Sequence, residues 1–168
     1  YFPLGAIIVH DRVYDAIRAS GQPFYSGQTY ACIPLAAAVG QANLDYIQQH
    51  NLVDNAREVG GYLKSKLEGL KALSCVGDVR GEGLFLGIEF VQNQATKAIF
   101  DPNVFFSKKV EAQAFKEGLV SYACRGTVEY SKGDHMLFAP PITLSHEEAD
   151  LIVDKLQTAI KKVYSKLQ

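Results

Sequence analysis

The sequence has no tryptophan, one methionine and three cysteines, and these scarcities exclude several kinds of site. Cys32, Cys75 and Cys124 lie far apart and include no Cys-x-x-Cys pair, so the sequence predicts neither a zinc site nor a disulfide framework. No two histidines have the four-residue spacing of a helical metal site. We therefore predict no metal and three reduced thiols, which is typical of a cytoplasmic protein.

The chain also lacks an excess of charge of either sign and lacks a long apolar run. It has 17 Lys and Arg against 18 Asp and Glu, a net charge of -1, which predicts no nucleic-acid partner. No apolar run approaches the roughly 20 residues needed to cross a bilayer, so no membrane partner is predicted either. With 168 residues, 48% of them hydrophobic, the chain suits one globular domain or two incomplete ones.

The first third of the chain opens on an apolar run. Leu4 to Val9 has the pattern of a buried strand with no earlier segment to pair with, which predicts a chain cut from a longer protein. A short helix is predicted over residues 11–19, and residues 24–33 are predicted to form a polar, aromatic loop. Pro34 suits the first turn of the Ala-rich helix that follows.

A long amphipathic helix is predicted next, capped by Asn51 and interrupted by Gly60-Gly61. Its apolar residues recur at steps of three and four: Leu52, Ala56, Val59, Leu63, Leu67 and Leu70. Such a helix could bridge two domains. We predict a domain boundary after it, with residues 1–74 and 75–168 on either side.

The rest of the chain predicts a β-β-α-β-β-α order, a mainly antiparallel sheet with helices on one face. Gly118 is expected to end the first of these helices, and Ser145 with Glu148 forms a capping box at the start of the second. Residues 126–134 are predicted to form an exposed loop. The predicted strands are 76–80, 84–91, 119–123 and 136–139.

Three local features are candidates for a binding site. Ser26 to Thr29 offers hydroxyls and backbone N–H groups before a helix, which suits either a phosphate site or a plain connector. Arg80 and Arg125 each lie beside a strand end, where an arginine can bind a substrate carboxylate, or can be a plain surface residue or one that satisfies nearby backbone carbonyls. The second role is favoured for Arg80, and both stay open for Arg125.

The order of these motifs resembles that of class-III aminotransferases. The resemblance rests on Tyr1-Phe2-Pro3-Leu4-Gly5-Ala6, on Phe24-Tyr25-Ser26-Gly27-Gln28-Thr29-Tyr30 with Pro34, and on Val76-Gly77-Asp78-Val79-Arg80-Gly81-Glu82-Gly83-Leu84. It continues through Gly133-Asp134-His135, Ala139-Pro140-Pro141 and the last helix, and so covers the chain from Tyr1 to about Val163.

The resemblance implies an α/β chain: the end of a large domain that binds pyridoxal 5'-phosphate (PLP), followed by a small C-terminal domain. It implies a homodimer with a shared active site. The lysine that bonds to PLP and the aspartate that pairs with its ring nitrogen would precede Tyr1, so the chain alone is expected to be inactive. Thr29, helped by the backbone around Gln28, is expected to reach the PLP phosphate of the neighbouring subunit.

The resemblance also bears on the substrate. Two positions that carry a carboxylate-binding arginine in some members match Leu137 and Tyr122 here, and we predict that Arg125 takes that role near Tyr122. The predicted reaction moves an amino group from an ω-amino acid or amine to a 2-oxo acid such as pyruvate. The alternative is a non-catalytic α/β binding or dimerisation module, either a dead homologue or a proteolytic remnant.

Overall fold

The computed structural model describes residues 3–29 and 31–167, so Tyr1, Phe2 and Tyr30 of the quoted motifs lie outside the described residues. The chain divides into two compact units, Tyr1–His50 and Asn51–Gln168. The domain boundary predicted between residues 74 and 75 concerns the complete protein and stays a prediction. The compact units divide earlier because the long middle helix packs against the sheet of the second unit.

The first unit holds helices α1, Asp11–Ala19, and α2, Pro34–Gln49. Both confirm the predicted helices, and Pro34 occupies the first turn of α2, where a missing N–H costs nothing. The predicted strand over residues 4–9 is wrong: these residues form no ladder, and Ile8 is 96% exposed. A strand requires a hydrogen-bonded neighbour, and no described segment supplies one.

Helix α3, Leu52–Gly69, opens the second unit and confirms the predicted amphipathic stripe. Val59, Leu63 and Leu67 are buried against the sheet. The predicted cap is wrong in its mechanism: Asn51 has a left-handed backbone (φ 51°), and its side chain makes no capping hydrogen bond. Its carbonyl oxygen accepts instead from the N–H groups of the first turn.

Four strands form one antiparallel sheet in the order β1-β2-β4-β3. Along the chain, the strands and helices of this unit follow α3 in the predicted β-β-α-β-β-α order. The strands span Val76–Glu82 (β1), Phe85–Phe90 (β2), Tyr122–Val128 (β3) and Lys132–Phe138 (β4).

The predicted loop over residues 126–134 is wrong, because β3 and β4 continue through it as a hairpin. Gly126 (φ +111°) and Gly133 (φ +80°) lie inside the paired region rather than in a turn. The turn itself is built on Glu129 and Tyr130, two non-glycine residues with positive φ. The two glycines suggested a loop, whereas in the structure they lie where the pairing register of β3 and β4 shifts.

Helices α4, Phe106–Lys116, and α5, His146–Tyr164, pack on one face of the sheet together with α3. Gly118 (φ +80°) follows α4 in the left-handed conformation that was predicted. At the start of α5, Ser145 and Glu148 form both hydrogen bonds of the predicted capping box. None of the described helices is long and apolar enough to span a membrane.

Candidate functional site

The loop before α2 carries the predicted phosphate ligands. Gln28 and Thr29 are both exposed, and the Gln28 carbonyl accepts a hydrogen bond from the Ala31 N–H at 2.9 Å. The sequence has no acidic residue between Asp15 and Asp45, so the stretch of chain that holds this loop contributes no negative side chain that would repel a phosphate. An exposed hydroxyl on a tight turn just before a helix suits an anionic group.

Arg125 lies on β3 and is fixed by contacts at the entrance to α4. One terminal nitrogen, Nη2, donates to the Pro102 carbonyl at 3.1 Å, and the guanidinium carbon lies 4.6 Å from the centre of the Phe105 ring. Its buried Nε has no hydrogen-bond partner among the described residues. A guanidinium carries five N–H donors, so this arrangement leaves spare donors on a partly buried cation.

The arginines of the second unit differ in their ionic partners. Arg57 pairs with Asp54, and Arg80 pairs with both Asp78 and Glu89. Arg125 has no carboxylate within 4.0 Å among residues 51–167. Arg125 is therefore the arginine of this unit that still has capacity to bind an added carboxylate, although it already donates to one backbone carbonyl. Arg80 is an exposed arginine that two carboxylates already occupy.

Asp134 orders the helix beside Arg125, a role that sequence patterns did not reveal. Its buried carboxylate accepts hydrogen bonds from the backbone N–H of Ser107, at 3.0 Å, and from the Ser107 hydroxyl, at 2.7 Å. Ser107 lies in the first turn of α4, where N–H groups have no partner within the helix. Asp134 thus caps α4 from a strand 27 residues away in sequence.

Tyr122 and Leu137 are direct cross-strand neighbours, and Leu137 also pairs with Gly87 on β2. Side chains alternate along a strand, so Tyr122 lies on the face opposite the one that Ala123 and Arg125 share. Ala123 is buried against the helices, whereas Tyr122 is 65% exposed. The structure therefore does not bring Tyr122 and Arg125 together on one face.

The face of the sheet opposite the helices has a row of polar residues that sequence patterns did not predict. Glu89 is the cross-strand neighbour of both Asp78 and His135, and Arg80 and His135 line a shallow cavity of about 310 Å³. Lys71 and the N–H of Val79 hold the pKa of Asp78 below its usual value. Burial lowers the pKa of His135, and its Nδ1 has no partner among the described residues.

Thr29 and Gln28 belong to the first unit, and Tyr122 and Arg125 belong to the second. In the described ranges, no three His, Cys, Asp or Glu side chains are grouped closely enough to hold a metal ion.

Comparison with known proteins defines the class. The family model for class-III aminotransferases matches residues 2–160. An uncharacterized aminotransferase, YodT, of Bacillus subtilis is 32% identical over 100% of this chain and 38% of its own length. A diaminobutyrate–2-oxoglutarate transaminase of Halomonas elongata is 36% identical over 97% of this chain and 34% of its own length.

Solved structures agree. A crystal structure of a transaminase from the marine bacterium Virgibacillus matches the whole chain with a TM-score of 0.91 and 32% identity, and the match covers 38% of that structure. The chain therefore belongs to the class-III aminotransferase family. It spans about a third of the length of the relatives it matches.

Proposed function

We propose that the complete protein is a PLP-dependent aminotransferase that moves an amino group from an ω-amino acid or amine to a 2-oxo acid such as pyruvate. The observation that carries this proposal is the family match over residues 2–160. The Halomonas relative is named for a 2-oxo acid substrate, 2-oxoglutarate, which supports a 2-oxo acid as the amino acceptor. We further propose a cytoplasmic homodimer, with residues 1–74 completing its large domain and residues 75–168 forming its small domain.

PLP supplies an electron-withdrawing ring and an aldehyde that bonds to amines when it is bound. We propose that Thr29 holds its phosphate through the side-chain hydroxyl and that the Gln28 backbone supports the same group. The exposed turn and the absence of acidic residues between Asp15 and Asp45 support this assignment. The lysine that bonds to PLP would lie upstream of Tyr1.

Arg125 is the proposed ligand of the substrate carboxylate. Its spare donors and its lack of a carboxylate partner among residues 51–167 support this role. In the structure its guanidinium packs on the Phe105 ring and donates to the Pro102 carbonyl. To bind a substrate with the Nη2 group, the side chain would give up this single 3.1 Å hydrogen bond and donate to the substrate carboxylate instead. Tyr122 lies on the opposite face of the sheet and is exposed, so it is proposed as a contact for a substrate group other than the carboxylate that Arg125 binds.

The cofactor assignment is tested by titrating the complete apoprotein with PLP and following the cofactor absorbance. Thr29→Val should raise the dissociation constant for PLP roughly tenfold or more, because it removes a hydrogen bond to a charged phosphate. Thr143→Val is the matched control, because Thr143 is also exposed and makes no side-chain hydrogen bond with any described residue. Equal affinities for Thr29→Val and the control would remove Thr29 from the phosphate site.

The substrate assignment is tested by steady-state kinetics with pyruvate as the varied substrate. Arg125→Ala should raise KM for pyruvate at least tenfold, since a charge-assisted, forked contact to a carboxylate is lost. Arg57→Ala, which removes an exposed arginine of the same unit, should leave KM unchanged. An unchanged KM in Arg125→Ala would exclude the proposed role. Complete absence of transfer in the unmodified protein would favour the non-catalytic module.

A further inference from the structure

A groove runs between helix α4 and the end of α5, on the side of these helices away from the sheet. Its volume is about 300 Å³. Lys109, Ala112 and Lys116 recur at steps of three and four and so share one face of α4. The lining residues are Lys109, Ala112, Gln113, Lys116, Val163, Lys166 and Leu167.

The rim of this α4–α5 groove carries an unbalanced positive charge. Lys109, Lys116 and Lys166 are exposed, and none has a carboxylate within 4.0 Å in the described part of the chain. None of the described residues that line the groove carries a carboxylate. Three cations are therefore concentrated on one surface of a chain whose net charge is -1.

The acidic residues of α4 and its C-terminus are already engaged by other groups. Glu111 accepts from Lys108 at 3.0 Å and from the Ala123 N–H at 2.8 Å. Glu117 binds Lys162 at 2.7 Å, and this contact holds the pKa of Glu117 below its usual value. Neither carboxylate is free to neutralise the rim.

The floor of the α4–α5 groove is apolar. Ala112 is exposed, Val163 is buried below it, and Leu167 keeps 39% of its surface in contact with solvent. A small hydrated anion gains nothing from such a floor, whereas an apolar side chain flanked by carboxylates matches both the floor and the rim. A flat membrane would engage the rim lysines without filling the concave floor, and three lysines are few for that purpose.

We propose that the α4–α5 groove docks a short acidic, amphipathic segment of a partner protein. Charge complementarity with the three rim lysines orients the segment, and its apolar side chain covers Ala112 and Leu167. The groove is small compared with a standard protein interface, so the contact is transient and weakened by salt. None of its residues is assigned to the cofactor or the substrate, and the inference is independent of the proposed reaction.

The test is fluorescence anisotropy with the complete protein and a short fluorescein-labelled peptide that carries two leucines among glutamates. Lys109→Glu/Lys116→Glu should weaken binding roughly tenfold, because each change replaces an attraction by a repulsion. Lys97→Glu/Lys161→Glu is the matched control, since it makes the same change in net charge at two exposed lysines outside the groove. The control should bind the peptide about as tightly as the unmodified protein does.

A second peptide tests whether apolar contacts contribute to binding. Replacing both leucines of the peptide by serine should weaken binding several-fold while its charge is unchanged. The proposal would be overturned if the two double variants lost affinity for the peptide equally. It would also be overturned if the serine peptide bound as tightly as the leucine peptide, or if the unmodified protein bound neither. Full retention of binding by Lys109→Glu/Lys116→Glu would overturn it as well. Circular dichroism of each variant, compared with the unmodified protein, establishes that the fold is intact.

Discussion

Replacing each of two consecutive glycines of helix α3 by alanine should change the free energy of unfolding in opposite directions. A Cβ added at Gly60 would lie 2.2 Å from the carbonyl carbon of Gly83 and 2.3 Å from its oxygen, whereas a Cβ at Gly61 would meet nothing within 4 Å. The atoms near Gly60 belong to the backbone of the turn between β1 and β2, so they cannot move aside as a flexible side chain does. The helix itself must shift.

The magnitudes follow from these distances. Overpacking costs roughly 1–3 kcal/mol, and contact with backbone favours the upper end of that range. Alanine gains about 1 kcal/mol over glycine inside a helix. Gly60→Ala should therefore lower the free energy of unfolding by about 2 kcal/mol, and Gly61→Ala should raise it by about 1 kcal/mol.

Native-state hydrogen exchange of the Leu86 and Ile88 amides is the suitable assay, because both residues are buried in β2 of the same unit. The two variants should differ by about 3 kcal/mol in the opening free energy of these amides. Similar protection in Gly60→Ala and Gly61→Ala would refute the close approach of α3 to the β1–β2 turn. Gly61→Ala serves as the matched control, since it makes the same substitution one residue away.

Substitutions at three further positions test other contacts. Asp134→Ala should cost about 2 kcal/mol in urea unfolding, because the buried N–H of Ser107 loses its acceptor while the Ser107 hydroxyl keeps the Cys124 carbonyl as one. Asp134→Asn should cost less, because an amide oxygen can still accept. Ser145→Ala should cost about 1 kcal/mol by removing the hydroxyl that accepts from the Glu148 N–H. Burial lowers the pKa of His135 from its ordinary 6.5, so stability should fall as pH drops below about 6.5, and His135→Gln should flatten that fall. No flattening would remove His135 as its source.

Local patterns predicted the helices well because their signals depend only on nearby residues. Pro34 at a first turn, Gly118 after a last turn and the Ser145 capping box each act within four residues of the element they delimit. The 3.6-residue period of the apolar positions gave the type of α3 for the same reason. The order of strands and helices along the chain was also predicted from local patterns, whereas the order of the strands within the sheet was not.

The failures have physical causes beyond local sequence. The run from Leu4 to Val9 is apolar enough for a strand, but a ladder needs a partner, and none of the described segments pairs with it. Residues 126–134 contain two glycines, yet these lie in paired strands, and the turn uses Glu129 and Tyr130. Whether a glycine marks a turn or a bulge depends on register, which sequence alone does not fix.

The candidate site was predictable only in part. The predicted strand ended at residue 123, so its alternation did not reach Arg125. In the structure β3 continues to Val128, and Tyr122 and Arg125, three residues apart, lie on opposite faces. The hydrogen bonds from Ser107 to Asp134 span 27 residues and leave no periodic signal. That Arg125 has no ionic partner among residues 51–167 likewise emerges only when its neighbours are placed around it.

The central claim is that this chain forms part of a PLP-dependent aminotransferase, and reductive trapping tests it most directly. The complete protein would be incubated with PLP, reduced with borohydride, digested and analysed by mass spectrometry. We predict one reduced phosphopyridoxyl group, on a lysine upstream of Tyr1. No such adduct, or an adduct spread over surface lysines of residues 1–168, would contradict the claim and leave the α/β units as a binding or structural module.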